Sequence, residues 1–317
     1  MKVEALVITS SDGNGQANAT PAVTTRRLQE LLRFGGLMLS AGETAFRVRR
    51  SMGAIAWGLG FESLSVQLGA RNLVASGCRN RETATLVCDV EIPSVNTERI
   101  GALEAIEELA SCIPLEMIAS EFPIQLASIE NASPRYSISQ IAPAVGAACG
   151  AFAFLNGASW VEIAACAIGG GVGQGLKSFL MHRRFNQYAV TAVCAMVASA
   201  LYCVAAALAH GAGFGVGRSS VGLVSSVLFL IPGFPLVTAL LDQLQHETAA
   251  AVSRLAHAMM FVLVAAVGLS VVIALVGSSI ETSPQPMFAK PLLSVGWAVA
   301  SFCGGSGLAI LYNGTRR

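Results

Sequence analysis

Two prolines enclose a short motif inside an apolar stretch, residues 223–241, that is long enough to cross a bilayer: Pro232, Gly233, Phe234 and Pro235 (PGFP). Proline has no N–H to donate to the preceding turn, so a helix must break here, at a depth where water cannot replace the lost hydrogen bonds. The half-helix after such a break presents N–H groups and a positive dipole end to an anion. These four residues are therefore a candidate substrate-binding site. A packing kink in a structural helix is the alternative.

Ionisable residues follow the motif at Asp242, His246, Glu247 and Arg254. Asp242 lies seven residues beyond Pro235, roughly 10 Å along a helix, which places it near a membrane edge. It could carry a proton or contact the substrate, or it could pair with Arg254 at a helix end. A carboxylate beside an imidazole, as in Glu247 and His246, could relay protons. Ordinary solvated loop residues are the alternative for that pair.

Other polar and small residues lie within the apolar half of the chain. Glu162 begins another apolar stretch and is a further candidate for proton coupling, although an acid also suits a helix N-terminus. Gln174 and His257 are interpreted as hydrogen-bonding groups within a helix bundle. The glycine run 169–175 has the small-xxx-small spacing that lets helices approach closely, with room for a substrate as a second interpretation.

The patterns of common metal and catalytic sites are missing from this sequence. Its eight cysteines show no CxxC or Cys/His spacing, and it contains no phosphate-binding glycine loop, G-x-S-x-G or HExxH. We therefore predict no enzyme, no cofactor and no metal. The basic run Arg47, Arg49 and Arg50 is interpreted as a solvated helix face, because residues 1–135 are net acidic. Nucleic acid is not expected as a partner.

The composition is that of a membrane protein that also has a soluble part. The chain is 54% hydrophobic and 12% charged, about half the usual charged fraction of soluble domains. Residues 1–135 contain 12 of the 20 Lys and Arg and 15 of the 19 Asp and Glu. We predict a flexible tail at 1–23, a cytoplasmic α+β domain at 24–135 and a transmembrane domain at 136–317.

Periodicity predicts the elements of the soluble domain. One helix runs through residues 24–40, and a second begins at Glu43 with a buried face at 3, 4, 3, 4 spacing. Alternating segments at 63–68 and 83–90, with 72–76 between them, predict an antiparallel sheet. Asn96 can cap a further helix.

The second part contains six candidate membrane spans, with the fourth broken at PGFP. They cover residues 138–156, 160–179, 188–209, 221–241, 255–276 and 292–312. Membrane lipids are thus expected partners. The predicted fold class is a polytopic α-helical membrane protein with an N-terminal cytoplasmic α+β domain.

Basic residues near the span ends predict the orientation. One set of ends carries Arg135, Lys177, Arg183, Arg184, Arg254, Arg316 and Arg317, while the other carries Arg218 and Lys290. Because cytoplasmic loops are enriched in Lys and Arg, the first set is predicted to be cytoplasmic. No export signal opens the chain. We expect a multi-pass protein of the cell (inner) membrane with both termini in the cytoplasm.

Two segments resemble those of a known family. Residues 40–68 read SAGETAFRVRRSMGAIAWGLGFESLSVQL, similar to a Gly-Ala-Glu-Thr-x-x-Arg-Val-Glu element, with Arg49 in place of the final acid. Residues 230–254 read LIPGFPLVTALLDQLQHETAAAVSR, similar to a Pro-Gly-x-Pro-Leu-x-x-x-x-x-Asp segment followed by Gly-Asp, Ser-Gly and Arg. His246 and Glu247 stand where Gly-Asp is expected. Over roughly residues 24–280 the chain resembles the threonine/serine exporter (ThrE-like) family.

The resemblance implies a cytoplasmic domain followed by a transmembrane bundle, and export of small amino acids such as threonine and serine. Some members of the family are split into two polypeptides and are associated with dicarboxylate export. The resemblance therefore implies a subunit of a dicarboxylate (succinate-type) exporter as an alternative. A third possibility is a membrane-anchored sensor or scaffold that transports nothing. We expect a secondary transporter that exchanges its substrate for protons, with Asp242 as the first candidate for coupling.

The last part of the sequence, residues 291–317, resembles the opening helix of the second transmembrane half that complete family members carry. Transporters commonly build their site between two repeats or bundles. We therefore expect either homo-oligomerisation through this helix or a second membrane subunit. A complete six-helix protein whose glycines pack internally is the alternative.

Overall fold

Helices form most of the computed structural model, which describes residues 3–4, 23–69, 72–90, 94–112, 115–213, 218–276, 280–281 and 290–314. The N-terminal elements follow in this order: β1 (Val3–Glu4), α1 (Val23–Ser40), α2 (Ala45–Gly58), β2 (Ser63–Leu68), β3 (Asn72–Arg79), β4 (Glu82–Asp89), α3 (Thr97–Cys112) and α4 (Leu115–Glu130). Most of the predicted tail, residues 5–22, lies outside the described residues.

Helix α2 forms as its spacing predicts. Thr44 is the N-cap, and its side-chain oxygen accepts a hydrogen bond from the Arg47 N–H. The apolar positions at 45, 48, 52 and 55 are all buried, whereas the arginines between them are not. The helix therefore presents one apolar face to a core that it shares with α1 and the sheet.

The sheet is antiparallel in the order β1-β4-β3-β2. Ala75 pairs with Val66 on one side and with Leu86 on the other, and all three side chains are buried. Their alternation with partly exposed residues is typical of a sheet that packs on one face. The central strand extends beyond the predicted 72–76, to Arg79.

Helix α4 is an element that periodicity did not predict. It contains Pro123, which normally marks a helix boundary. Burial of Phe122 against Phe34, with ring centroids 6.0 Å apart, favours the helix despite the proline. Tertiary packing thus outweighs the local penalty.

In the C-terminal half, helices and one short pair of strands are the main elements of the described residues. Its elements are α5 (Ile138–Leu155), α6 (Trp160–His182), α7 (Gln187–Gly211), β5 (Arg218–Ser219), α8 (Ser220–Ser226), α9 (Gly233–Leu244), α10 (Thr248–Val276), β6 (Ile280–Glu281) and α11 (Lys290–Leu311). Close packing explains several glycines, because a Cβ at Gly146 would lie 2.5 Å from the Ala167 oxygen and one at Gly169 would lie 2.7 Å from the Ala198 oxygen.

Four helical segments of the described residues are long and apolar enough to cross a membrane: Ile138–Leu155, Gln187–Gly211, Thr248–Val276 and Ser294–Leu311. These coincide with four of the six predicted spans, and α10 begins seven residues before its predicted start. Helix α6 and the broken segment do not meet that criterion. The protein is thus a membrane protein by helix length and composition, while the count of six stays a prediction.

The predicted break occurs at PGFP. Helix α8 leads into a 3-10 turn, Leu228–Leu230, and Ile231 is extended with ψ 120°, as expected of a residue before proline. Helix α9 then begins at Gly233, so Pro235 occupies its first turn, where the missing N–H has no intrahelical role. Two helices therefore replace one continuous span.

The described residues form two compact units. One combines those within Met1–Ser133 with Phe234–Ala256, and the other combines Pro134–Gly233 with His257–Gly314. This partition differs from the predicted domains, because Phe234–Ala256 groups with the N-terminal elements. The predicted division into soluble and membrane parts stays a prediction.

Candidate functional site

Asp242 lies near the end of α9 and is completely buried in the first compact unit. Its Oδ1 atom accepts hydrogen bonds from the backbone N–H groups of Ala45, at 2.7 Å, and Phe46, at 3.5 Å. These are the first two residues of α2, whose N–H groups have no partner within the helix. A carboxylate at this end also interacts favourably with the helix dipole. Asp242 and Thr44 together therefore cap α2.

Gly42 brings the chain into this arrangement. It follows α1 with φ +95°, and a Cβ at this position would lie 3.3 Å from the Phe234 ring. The left-handed turn directs Glu43 and Thr44 into α2. The first family-like segment and the part of the second from Phe234 onward thus meet within one unit.

Arg254, on α10, completes the site. Its Nε lies 3.5 Å from Asp242 Oδ2, and its guanidinium donates a hydrogen bond to the backbone oxygen of Glu43. The Glu43 carboxylate accepts from the Thr44 N–H at 2.8 Å. Asp242 Oδ2 has no hydrogen-bond partner among the described residues. One buried carboxylate and one guanidinium therefore join α9 and α10 to the start of α2.

The surroundings of Asp242 shift the pKa of its carboxyl in opposite directions. Burial raises the pKa of its carboxyl above the ordinary 3.8, and the Glu247 carboxylate adds to the rise. The Arg254 charge and the N–H groups of Ala45 and Phe46 lower the pKa, but burial has the larger effect. The site therefore holds an acid that binds a proton more readily than an exposed aspartate does.

Glu247 forms an ion pair with Arg49. Arg49 Nε and a terminal nitrogen lie 2.6 and 2.9 Å from the two carboxylate oxygens. Arg49 is the residue that replaces the acid of the family-like element, and Glu247 keeps the acid of the expected Gly-Asp pair. The replaced residue and the retained acid are therefore in direct contact as an ion pair.

His246 is exposed and has φ +63°. It occupies the C′ position of a Schellman motif, in which its N–H donates to Gln243 and the Glu247 N–H donates to the Asp242 oxygen at 2.9 Å. Glycine is the usual residue there, which agrees with the Gly that the resemblance leads one to expect. The observed role of His246 is thus to end α9.

Glu162 lies in the second compact unit, and its side chain is buried. Its carboxylate accepts from the N–H and hydroxyl of Ser159, at 2.8 and 2.9 Å, in a capping box at the start of α6. The other oxygen accepts from the Tyr202 hydroxyl at 3.1 Å, and that hydroxyl accepts from the Ser219 N–H. Glu162 therefore links three segments.

The break itself offers fewer N–H donors than its sequence suggests. The Gly233 N–H donates to the Ile231 oxygen at 2.9 Å, and Pro235 has no N–H. A Cβ at Gly233 would meet no atom within 4 Å. Open space at Gly233 is thus the feature of PGFP that could accommodate a ligand.

The structure brings together three of the predicted site residues: Asp242, Glu247 and Arg254. Sequence reasoning named neither Glu43 nor the α2 N-terminus as part of this site, although both lie in the family-like segment 40–68. The two family-like segments were the one indication in the sequence that residues from both belong to a common site. No periodic pattern relates positions about 200 residues apart.

Comparison with protein families agrees with this geometry. The family model described as "Putative threonine/serine exporter" (ThrE) matches residues 29–276. The chain belongs to this family. The match includes the start of α2, PGFP, Asp242 and Arg254, and it supports a membrane transporter. No curated protein and no solved structure matches the chain.

Proposed function

We propose that this protein is a secondary transporter that exports small carboxylate-bearing metabolites, threonine and serine in particular, in exchange for protons. Family membership supports the class of function. The observation that carries the coupling is the buried Asp242 carboxylate, held by Arg254 and the α2 N-terminus only ten residues after the helix break. A merely structural anchor needs no broken helix leading to a buried acid.

Proton binding at Asp242 would change this arrangement directly. A neutral carboxyl is attracted less by the Arg254 guanidinium and accepts weaker hydrogen bonds from the N–H groups of Ala45 and Phe46. Because burial nevertheless disfavours the charged form more than these contacts favour it, release of the proton, and not its uptake, would loosen α9 from α2. Glu162 is the second candidate for a proton, because it is also a buried carboxylate. Glu247 and His246 would act on the site through the Arg49 pair and the end of α9.

Residues 232–235 are proposed to contribute to the substrate path. Glycine at 233 leaves open space beside the break, and Phe234 and the two prolines keep the backbone irregular. Substitution of Gly233 by Leu is expected to reduce transport without unfolding the protein. Gly101→Leu is the matched control, since a Cβ at Gly101 on α3 also meets nothing within 4 Å.

The proposed topology has six spans, with both termini on the cytoplasmic side of the inner membrane. Three contacts in the second unit support the pairing of helix ends. The Tyr188 hydroxyl, at the start of α7, lies 3.0 Å from His257 Nδ1 in the N-terminal part of α10. Strand β5, after the end of α7, pairs with β6, after the end of α10. The Arg135 N–H donates to Asn313 Oδ1 at 3.0 Å, which joins the start of α5 to the end of α11. That contact agrees with an even number of crossings.

We also propose that α11 contacts a second copy or a second membrane subunit. Gly307 packs against α5, because a Cβ there would lie 2.4 Å from the Ala144 oxygen. Val299 and Phe302, by contrast, are exposed in the second unit. An exposed apolar surface on a membrane helix is available to lipid or to another helix.

Flux into proteoliposomes tests the proposed function. Purified full-length protein would be reconstituted with an imposed pH gradient, and uptake of labelled threonine, serine and succinate would be measured. Gradient-dependent flux of threonine or serine is expected. Flux of succinate alone would favour dicarboxylate export. The absence of flux for all three, from protein of verified fold and with a co-expressed partner also tested, would reject the proposal in favour of a sensor or scaffold.

A further inference from the structure

Gln174 has a buried acceptor atom that the described residues leave unused. Its side chain is 6% exposed, and its Oε1 has no hydrogen-bond partner within the described ranges. Its Nε2 lies 3.5 Å from the Ser178 hydroxyl, a long distance for a hydrogen bond. A buried amide oxygen without a donor is costly, and such a group calls for an explanation. An ammonium or N–H group of a ligand would satisfy it.

Lys177 follows three positions later on α6, so it shares a face of the helix with Gln174. Its Nζ lies 6.0 Å from the centroid of the Phe229 ring. Among the described residues no carboxylate forms a salt bridge with it. A cation–aromatic contact compensates a positive charge only in part. The ammonium is therefore available to an anionic group.

Phe229 connects this face of α6 to the helix break. It is buried in the turn Leu228–Leu230, three residues before Pro232. Gly173 provides the space for the ring, since a Cβ there would lie 2.6 Å from it. Lys177, Gln174 and the turn all belong to the same compact unit.

We propose that Gln174 and Lys177 recognise the two charged groups of an α-amino acid. The Lys177 ammonium binds the carboxylate, and Gln174 Oε1 accepts a hydrogen bond from the α-ammonium. Side chains three apart on a helix have Cβ atoms about 5–6 Å apart, a separation that one small zwitterion can span. This inference rests on the proposed export of amino acids and identifies the residues that select them.

The pair predicts selectivity between substrate classes. A dicarboxylate has a group for Lys177 but no ammonium for Gln174, whereas threonine and serine have both. Loss of Lys177 should weaken both classes, and loss of Gln174 should weaken amino acids alone.

Equilibrium binding to the purified full-length protein in detergent tests this assignment. The variants are Lys177→Met and Gln174→Leu, which keep approximate side-chain size, and the probes are labelled threonine and succinate. Arg183→Met is the matched control, because Arg183 also lies over a ring, Phe179 at 5.4 Å, near the end of the same helix. Monodispersity and melting temperature verify the fold of each variant.

Lys177→Met is expected to weaken threonine binding by about tenfold or more, and Gln174→Leu to do so for threonine but not for succinate. Arg183→Met should leave both affinities unchanged. Wild-type affinity for threonine in folded Lys177→Met or Gln174→Leu would overturn the assignment, and would make Lys177 an interfacial lysine. If wild-type protein binds and transports neither threonine nor serine, the proposed function fails, and the assignment fails with it.

Competition on the wild-type protein provides a test that does not depend on the folding of variants. Ethanolamine has the ammonium of serine without the carboxylate, and glycerate has the carboxylate without the ammonium. Each should compete with threonine at least about tenfold less well than serine does. Equal competition by either analogue would contradict recognition of both charges.

Discussion

The backbone N–H of Ala45 donates a hydrogen bond of 2.7 Å to the carboxylate of Asp242, across 197 positions of the sequence. This contact joins the first turn of α2 to the helix that follows PGFP. A change in the charge of Asp242 therefore alters the hydrogen bond at the start of α2, and a displacement of α2 alters the surroundings of the Asp242 carboxylate. Coupling between the family-like segments has a direct physical route.

Replacement of Asp242 by alanine should destabilise the protein. The change leaves the Ala45 N–H without its acceptor and the Arg254 guanidinium without its buried carboxylate. Loss of one partner of such a pair costs about 3–5 kcal/mol. Asp242→Asn retains an acceptor for Ala45 and should cost less than half of that. Chemical unfolding of purified protein measures both, with Glu104→Gln, at a half-exposed ion pair, as the control. Equal stability of Asp242→Ala and wild type would contradict the capping role.

Stability should depend on pH through Asp242. Because burial raises the pKa of this carboxyl in the folded protein, the folded state holds the proton more tightly than the unfolded state. The stability that this bound proton contributes is thus fully present below the unfolded pKa of about 3.8, and it is lost as pH rises through the folded pKa. Melting temperatures measured from pH 4 upward should fall for wild type relative to Asp242→Asn. Parallel curves for the two proteins would reject the raised pKa.

Transport should respond to the same substitution in a different way. Asp242→Asn removes the charge with little change in volume, so folded protein should remain in the membrane while pH-driven flux is lost. Exchange of substrate without a pH gradient can survive. Full pH-driven flux in this variant would remove Asp242 from coupling and leave it a structural cap.

Glycine at position 246 should stabilise the protein by about 1 kcal/mol, because a non-glycine residue in the left-handed region is strained. The exposed His246 ring contributes little burial to offset the change. Gln245→Gly, one residue earlier and without positive φ, should stabilise nothing. The melting temperatures of the two variants decide the matter, and a lower value for His246→Gly would indicate that the imidazole itself holds the loop.

Single cysteines test the orientation. In a cysteine-free background, Cys at position 212 should react with an impermeant thiol reagent in intact cells, whereas Cys at position 184 should react only after permeabilisation. The reason is the excess of Lys and Arg at the ends that include Arg183 and Arg184. Labelling of position 184 from outside would invert the proposed topology.

The exposed face of α11 predicts an effect on assembly. A side chain at Gly305 meets no atom within 4 Å, whereas one at Gly307 meets the Ala144 oxygen. Gly305→Leu should therefore disrupt contacts with another chain and spare the fold, while Gly307→Leu should destabilise the unit itself. Light scattering corrected for detergent gives the mass. A wild-type monomer that transports at full rate would exclude both the oligomer and the partner subunit.

Much of the architecture follows from the sequence alone, because it depends on local properties. The 3, 4, 3, 4 spacing after Glu43 determines the buried face of α2, and the alternation at 63–68 and 83–90 determines two strands. The prolines of PGFP determine the break after Ile231, since proline cannot donate to the preceding turn. Apolar length predicts four spans that the structure also has.

Only the tertiary structure decided which distant residues meet. Asp242 and Ala45 are far apart in sequence, so no periodic pattern relates them, and the pairing of Arg49 with Glu247 depends on the same packing. Helix α4 contains Pro123 and forms because burial of Phe122 outweighs a local penalty. In the sequence, Gln174 and Lys177 are an ordinary polar residue and a helix-end lysine. Only in three dimensions do the described residues leave Gln174 Oε1 without a donor and bring Phe229 close to Lys177. Local physics determines the elements, whereas burial and charge in three dimensions determine the site.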